Sequence, residues 1–377
     1  MKFIQAEKLK DQKWNYLTEK ISLQNPLVLV FANRFALEDP EIIADIRKEF
    51  PYEHLVFGST AGEIMGDQVK DYSVAVTAIE FEKSSFIIKR ANILQHNQDA
   101  QSLGVDLIKT LPSKNLKHVF VVSEGHYGNG SSLIEGIESA LPNDVALTGG
   151  MCGDGARFEK TLTSYKEDPK EGEVIAIGFY GETLEITFAS CGGWLPFGPE
   201  RIITKSDGNI LFEIDGKPAL DMYKKYLGDK ATDLTQNSLF YPLNVKAEGK
   251  KYPVVRTVLK TDDTNHSMIL TGDVPEGSKV QLMMASVNGI ATGAYEAAQL
   301  AMKNRKKSPE VAILVSCIGR KLVMDQRVEE EVDEIIEVIG KEAKITGFYS
   351  YGELAPFNGE NACELHNQTM TLTLISE

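Results

Sequence analysis

The sequence predicts a mixed α/β (α+β) fold: repeated strand-helix-strand units forming layered mixed sheets, with an inserted β-rich segment. Three observations predict it. Short apolar runs alternate with stretches at helical spacing, the signature of strands followed by crossover helices. Three of these runs end in a glycine turn that carries a carboxylate: GSTAGEI (residues 58–64), TGGMCGDG (148–155) and GFYSYGEL (347–354). Finally, the elements recur in the same order, and from strand start to turn carboxylate the offsets are 36, 36 and 42 residues, as expected for an internal structural repeat.

Within the first unit, PLVLVFANRF reads as a buried strand, and DPEIIADIRKEF as a helix capped by Asp39 with Pro40 at its first position. HLVFGSTAGEI then returns as a strand into the turn, and in YSVAVTAIEF Val74, Val76 and Ala78 share one face of a further strand. The second unit repeats this order in HVFVVSEGHYGNG, SSLIEGIESAL, DVALTGGMCGDG and EVIAIGFYG. The third repeats it in EVAILVSCIGR, DQRVEEEVDEIIEVIG, AKITGFYSYGEL and QTMTLTLIS. Between the second and third units, after the Gly/Pro-rich break CGGWLPFGPE, comes NILFEIDGKPALDMYKKYLG, which reads as strand, Asp-Gly turn and amphipathic helix. PVVRTVL, SMILTGD and KVQLMMAS follow as half-buried strands, and NGIATGAYEAAQLAMKNRKK as a helix. Residues 1–25 are expected to form an N-terminal helix, and a boundary is placed between portions 26–210 and 211–377.

With 377 residues and 42% hydrophobic content the chain can bury a sizeable core, which excludes a disordered protein. A net charge of −14 argues against a nucleic-acid footprint and against binding to an anionic membrane surface. The first apolar run, near residues 27–32, is too short for a membrane span or signal core, so a cytoplasmic protein is expected. Cys152, Cys191, Cys317 and Cys363 lie far apart without paired spacing, the pattern of reduced buried thiols.

A glycine turn after a strand allows successive N–H groups to point into one concavity and bind an anion. Glu63, Asp154 and Glu353, each directly after a glycine, are suited to accept from an ammonium group. Together they suit a zwitterion such as an amino acid. The expected ligand site therefore gathers Gly58, Ser59, Thr60, Ala61, Gly62 and Glu63 from the first turn. It takes Gly149, Gly150, Met151, Cys152 and Asp154 from the second, Tyr349, Ser350, Tyr351 and Glu353 from the third, and Arg256 from an apolar strand. The competing reading is that the turns merely reverse the chain and the carboxylates cap local N–H groups. The loop SEGHYGNGSS lacks a P-loop lysine and has its glycines in the wrong order for a dinucleotide fingerprint. His126 and His366 are the candidate haem ligands, and Cys152 or Ser59 the candidate nucleophiles of a hydrolase, although no His and carboxylate are marked as partners.

The residues GSTAGEI, GGMCGDG, IDGKPALDMYKKYLG, VSCIGR, GFYSYGEL and LHNQT resemble the FIST sensory domain family over nearly the whole chain after about Pro26. The two portions 26–210 and 211–377 correspond to its N-terminal and C-terminal domains. That resemblance implies a prokaryotic signal-input module that binds a small ligand such as an amino acid. It implies as partners a histidine kinase, a chemotaxis receptor or a cyclic-dinucleotide enzyme. It also implies, as an alternative, a haem-based nitric oxide sensor. Two departures weaken that alternative: Ser59 stands where the family often has a cysteine, and Gln368 where it often has a second histidine. Expected, then, are no catalytic residues, no metal and no resident cofactor. The chain ends after its last predicted strand with no kinase or cyclase attached, so a signal is expected to leave through another protein.

Overall fold

The computed structural model describes residues 1–234, 238–357 and 360–377. Three six-stranded sheets form its body. Each is built around one parallel pair, the two strands that flank a unit's helical crossover: Leu27–Ala32 with His54–Ser59, Leu116–Ser123 with Ala146–Met151, and Val311–Cys317 with Lys344–Ser350. An antiparallel strand then lines the first member of each pair: Ser73–Glu80, Glu173–Tyr180 and Met370–Ser376. Crossovers require helices on one face, and these strands are buried on both faces, which is why they appear as unbroken apolar runs rather than alternating ones.

Alternate residues of the same strand serve two different cores. Leu27, Leu29 and Phe31 point into a central cluster with Phe120, Val122, Ile313, Val315 and Phe348, where all three sheets meet. Val28, Val30 and Ala32 face Ile43 and Ile46 of the helix Pro40–Glu49. That helix starts as its sequence demands, with the Asp39 side chain accepting from Glu41 N–H and Pro40 at its first position. In the second unit the helices Ala100–Lys109 and Gly130–Ala140 cover the sheet; in the third, Val287–Met302 and Glu330–Ile339 do so.

After each glycine turn the chain leaves its own sheet. Glu63–Met65 joins the third unit's sheet, Thr163–Tyr165 the first unit's, and Gly352–Pro356 the second unit's. The exchange is cyclic. It ties the three sheets together at one end, the end where the turns lie.

Two expectations are corrected here. Residues Lys2–Leu9 form a strand rather than part of a helix, paired along their full length with Ser73–Glu80. Its two faces are buried separately: Ile4 and Ala6 join the first unit's core, while on the opposite face Phe3 packs against the central cluster and buried Gln5 donates to the Ile345 carbonyl at 2.8 Å. The basic cluster after the helix Val287–Met302 lies beyond its end, and Arg305 instead donates to Thr187 and the Leu374 carbonyl. The inserted segment, from Leu195–Asp207 to Lys279–Met284, makes a separate eight-stranded sheet over a core of its own. Its Asp215-Gly216 turn has both residues at positive φ, the hairpin geometry that Asp-Gly favours. The boundary at 210/211 falls inside this sheet, at the start of the strand Ile210–Ile214.

Candidate functional site

The three turns meet. Ala61 N–H donates to the Tyr349 carbonyl at 2.8 Å, Gly153 N–H to the Ser59 carbonyl at 3.0 Å, and Tyr351 N–H to the Met151 carbonyl at 3.0 Å. In these three bonds each turn donates to one neighbour and accepts from the other, and Tyr349 N–H returns a bond to the Gly62 carbonyl at 2.8 Å. Gly155 N–H reaches the Thr60 carbonyl, and Asp154 N–H the Tyr351 hydroxyl. The amides are therefore taken up in stitching the units together, and an amide nest for a ligand anion does not form.

The carboxylates are likewise bonded within the protein. Glu63, buried, accepts from the Thr60 hydroxyl at 2.5 Å and from the Ser73 N–H and hydroxyl at 3.1 and 2.7 Å. Glu353, also buried, accepts from Ser350 at 2.6 Å and from the Thr369 N–H and hydroxyl at 3.2 and 2.9 Å. Burial pushes Glu63 up to about 7 and Glu353 up to about 8, against the lowering effect of these bonds. Asp154 differs. Its oxygens accept from the N–H groups of Phe158, Glu159 and Lys160, from the Tyr351 hydroxyl, and from Arg34 Nη1 at 2.9 Å.

Beside the first and second turns opens a cavity of about 550 Å3. Thr60, Ala61, Gly62 and Glu63 line it from the first unit, Asp154 and Arg157 from the second, and Lys321 from the third. Lys321 follows the strand Val311–Cys317 on the short helix Ile318–Met324, which aims its amine back over the first turn. There it donates to the Ala61 carbonyl at 2.9 Å, pairs with Asp71 and lies 5.5 Å from the Tyr349 ring centre. Gly62, at φ +144, leaves that space: a Cβ there would lie 2.5 Å from Lys321 Nζ. Arg157 donates to the Asp154 carbonyl at 3.2 Å and the Tyr72 hydroxyl at 3.3 Å. Phe35 is clasped between the guanidinium groups of Arg34 and Arg157, 4.7 and 4.9 Å from its centre.

Family models for the FIST N domain and the FIST C domain match residues 26–217 and 219–356. The chain belongs to the FIST family. FIST domains are sensory domains of signal-transduction proteins that bind small ligands. This FIST chain is 24% identical over 250 residues to uncharacterised proteins of Mycobacterium bovis and Mycobacterium tuberculosis, covering 64% of this chain and 63% of theirs. It thus spans less than two thirds of the length of those relatives. An uncharacterised protein of Methanocaldococcus jannaschii is 22% identical over 357 residues, 83% of this chain and 66% of that one. Among solved structures, a chorismatase aligns over 100% of this chain and 98% of its own at 7% identity with a TM-score of 0.37. A cyanuric acid hydrolase from A. caulinodans aligns over 78% and 99% at 10% identity with a TM-score of 0.20.

Of the residues expected in the site of this FIST protein, Thr60, Ala61, Gly62, Glu63 and Asp154 reach the cavity. Gly58, Ser59, Gly149, Gly150, Met151 and Cys152 do not line it and are all buried. Tyr349, Ser350, Tyr351 and Glu353 do not line it: Tyr349 donates to Glu331, Tyr351 to Asp154, and Ser350 to Glu353. Arg256 lies elsewhere. Buried at the root of the inserted sheet, it donates to the carbonyls of Asp273 at 3.1 Å and Leu365 at 2.8 Å, not to a carboxylate, and burial pushes it down to about 10. The two candidate nucleophiles are enclosed: Ser59 accepts from Leu162 N–H at 2.9 Å, and burial pushes the Cys152 thiol up, away from thiolate character. His126 is exposed and packs edge-on against Tyr127. His366 is buried, held through Nε2 to the Ala355 carbonyl at 2.9 Å, and pushed down to about 4 by burial. Neither histidine lines the cavity. Among the described residues no group of three or more His, Cys, Asp or Glu is placed to hold a metal, and no helix is long and apolar enough to cross a membrane.

Reading the sequence missed Arg34, Phe35, Tyr72, Arg157 and Lys321. Two of them carried a signal. Arg34 lies two residues past the strand 27–32, and Lys321 directly follows the motif SCIGR, so both stand just beyond the C-terminal ends of parallel strands, where open α/β sheets place ligand sites.

Proposed function

We propose that this protein is a non-catalytic signal-input protein that binds a small zwitterion of the amino-acid class in the cavity beside the first two turns. The observation that supports it is that the cavity wall comes from all three units, with Thr60 from one, Arg157 from another and Lys321 from the last. Arg157 and Lys321 offer donors to a carboxylate, and Asp71 offers an acceptor to an ammonium group. A ligand that inserts between Lys321 and Asp71 replaces an ion pair linking two units. It therefore favours one arrangement of the units over another, which is the differential binding a sensor requires. The altered surface is read by a separate signalling protein in the cytoplasm, a histidine kinase, chemotaxis receptor or cyclic-dinucleotide enzyme.

The test is calorimetric titration of ligand-stripped protein with the twenty amino acids, repeated with Lys321→Ala and Arg157→Ala. Heat with at least one amino acid, weakened about tenfold or more by either substitution, is the expected result. Absence of heat across the whole set removes the amino-acid assignment.

A further inference from the structure

The cavity has a neighbour. A second hollow of about 840 Å3 opens on the other side of Phe35 and Tyr72, and these two rings with Asn33 line both spaces. Its apolar surface comes from Leu9, Ile42 and Val74. Its charge is biased. Asp45 pairs with Lys8 at 2.6 Å and Asp39 caps a helix, which leaves Asp11 and Glu41 against Lys10.

Both rings of the partition are exposed, and each is met by Arg157. Phe35 is clasped by two guanidinium groups. Tyr72 is 57% exposed and held through its hydroxyl by Arg157, and its φ of 58° is a conformation that a bulky side chain rarely adopts. Such backbone strain persists where surrounding contacts hold it in place and clusters at ligand clamps. Here the contacts are the Asp71–Lys321 ion pair and the Tyr72–Arg157 bond on adjacent residues.

We infer that the two spaces form one bipartite site for a short basic peptide. The inference rests on the sensor reading above and names a longer ligand for the same site. Each space alone is in the ~300–1,000 Å3 range of sites for drug-sized molecules, larger than one amino acid needs. The peptide's terminal carboxylate sits at Arg157 and Lys321, which use two of five and two of three donors within the protein. Asn33, whose side-chain oxygen caps Ala36 N–H at 3.1 Å, keeps its NH2 group for a peptide carbonyl at the partition. A lysine or arginine side chain passes Tyr72 and ends among Asp11 and Glu41.

The experiment is calorimetric titration with free lysine, the tetrapeptide Ala-Lys-Ala-Ala and its counterpart Ala-Glu-Ala-Ala, on the parent protein and on Glu41→Lys and Lys10→Glu. The basic peptide should bind at least about tenfold more tightly than free lysine or the acidic peptide. Glu41→Lys should abolish that advantage, and Lys10→Glu should increase it. Lysine binding as tightly as the peptide, or a peptide affinity indifferent to Glu41→Lys, overturns the inference and leaves the sensor reading standing. No binding of any amino acid or peptide overturns both.

Discussion

The first and third turns are held in one way and the second in another. In the first and third, a glutamate reaches back three residues to a hydroxyl, Thr60 or Ser350, and forward to the N–H and hydroxyl of Ser73 or Thr369 at the start of the next strand of the same unit. In the second, Met151 stands where the hydroxyl would be and Asp154 is one carbon shorter. The chain that follows instead wraps around the carboxylate through three successive N–H groups, and Arg34 of another unit completes it. Arg157, in that wrapped segment, lines the cavity. A repeated design thus supplies a closed scaffold, and the copy that departs from it adds Asp154 and Arg157 to the cavity wall beside Thr60 to Glu63 of the first turn.

The largest expected effect tests the departure itself. Asp154→Asn removes the negative charge opposite Arg34, whose side chain is only 11% exposed, and turns one acceptor into a donor facing an N–H group. Hydrogen bonds to charged groups contribute about 1.5–3 kcal/mol, so a loss of about 2–3 kcal/mol in urea unfolding is expected. Glu63→Gln and Glu353→Gln should each cost under about 1 kcal/mol at pH 6, because burial already favours the uncharged carboxyl at these positions. Equal losses at all three sites would erase the contrast.

Next comes pH. An acid whose folded pKa is raised binds more protons folded than unfolded, so the stability from Glu63 and Glu353 is complete below about 4.5 and is lost as pH rises through about 7 and about 8. His118 and His366 act in the opposite sense. Burial pushes them down from 6.5 to about 3 and about 4, so their contribution is complete above 6.5 and is lost as pH falls through those values. The two pairs oppose each other between pH 4.5 and 6.5, and above 6.5 only the glutamates act. Unfolding free energy should therefore decline from pH 6.5 to 8 by on the order of 2 kcal/mol, a decline that the double variant Glu63→Gln, Glu353→Gln removes.

The repeat was legible in the sequence because strands buried on both faces appear as continuous apolar runs, and the order of run, helix and turn survives without knowledge of pairing. That the turns come together was an expectation from recurrence alone. The cyclic exchange of short strands left no local mark, since Ile64 pairs with Gly347 and Leu354 with Gly149, partners some 200 to 280 positions apart. The fate of the carboxylates was hidden for a similar reason: Ser73 and Thr369 lie 10 and 16 residues beyond Glu63 and Glu353. Lys2–Leu9 misled because its charges alternate in a way that suits a helix surface, and only its pairing with Ser73–Glu80 shows otherwise. Arg256 stood out as a charge in an apolar strand, but main-chain carbonyls satisfy it as well as a ligand would.

A smaller effect separates the hydroxyls. Thr60→Ala and Ser350→Ala each remove one donor to a buried carboxyl and should lower stability by matching amounts, about 0.5–1.5 kcal/mol each. At the corresponding position of the second unit, Met151→Leu keeps volume and removes no hydrogen bond, so its cost should stay below about 1.5 kcal/mol. Its pH profile should be that of the parent protein, whereas the two hydroxyl variants should shift the alkaline decline to higher pH, because each hydroxyl lowers the pKa of its glutamate.

The smallest effect falls on the rim of the open side. Tyr72→Asn exchanges a bulky residue at φ 58° for one that tolerates the left-handed region, and it also removes an exposed hydroxyl's bond to Arg157. Relief of strain and loss of a solvent-exposed bond oppose each other, so urea unfolding should move by no more than about 0.5 kcal/mol in either direction. The segment that holds Tyr72 meets the closed design through the Asp71–Lys321 ion pair on one side and the Ser73–Glu63 hydrogen bonds on the other, and both survive the substitution. A loss above about 1.5 kcal/mol would make Tyr72 part of the scaffold rather than of the rim. The division between two closed turns and one open one would then have to be redrawn to place the strained residue on the closed side.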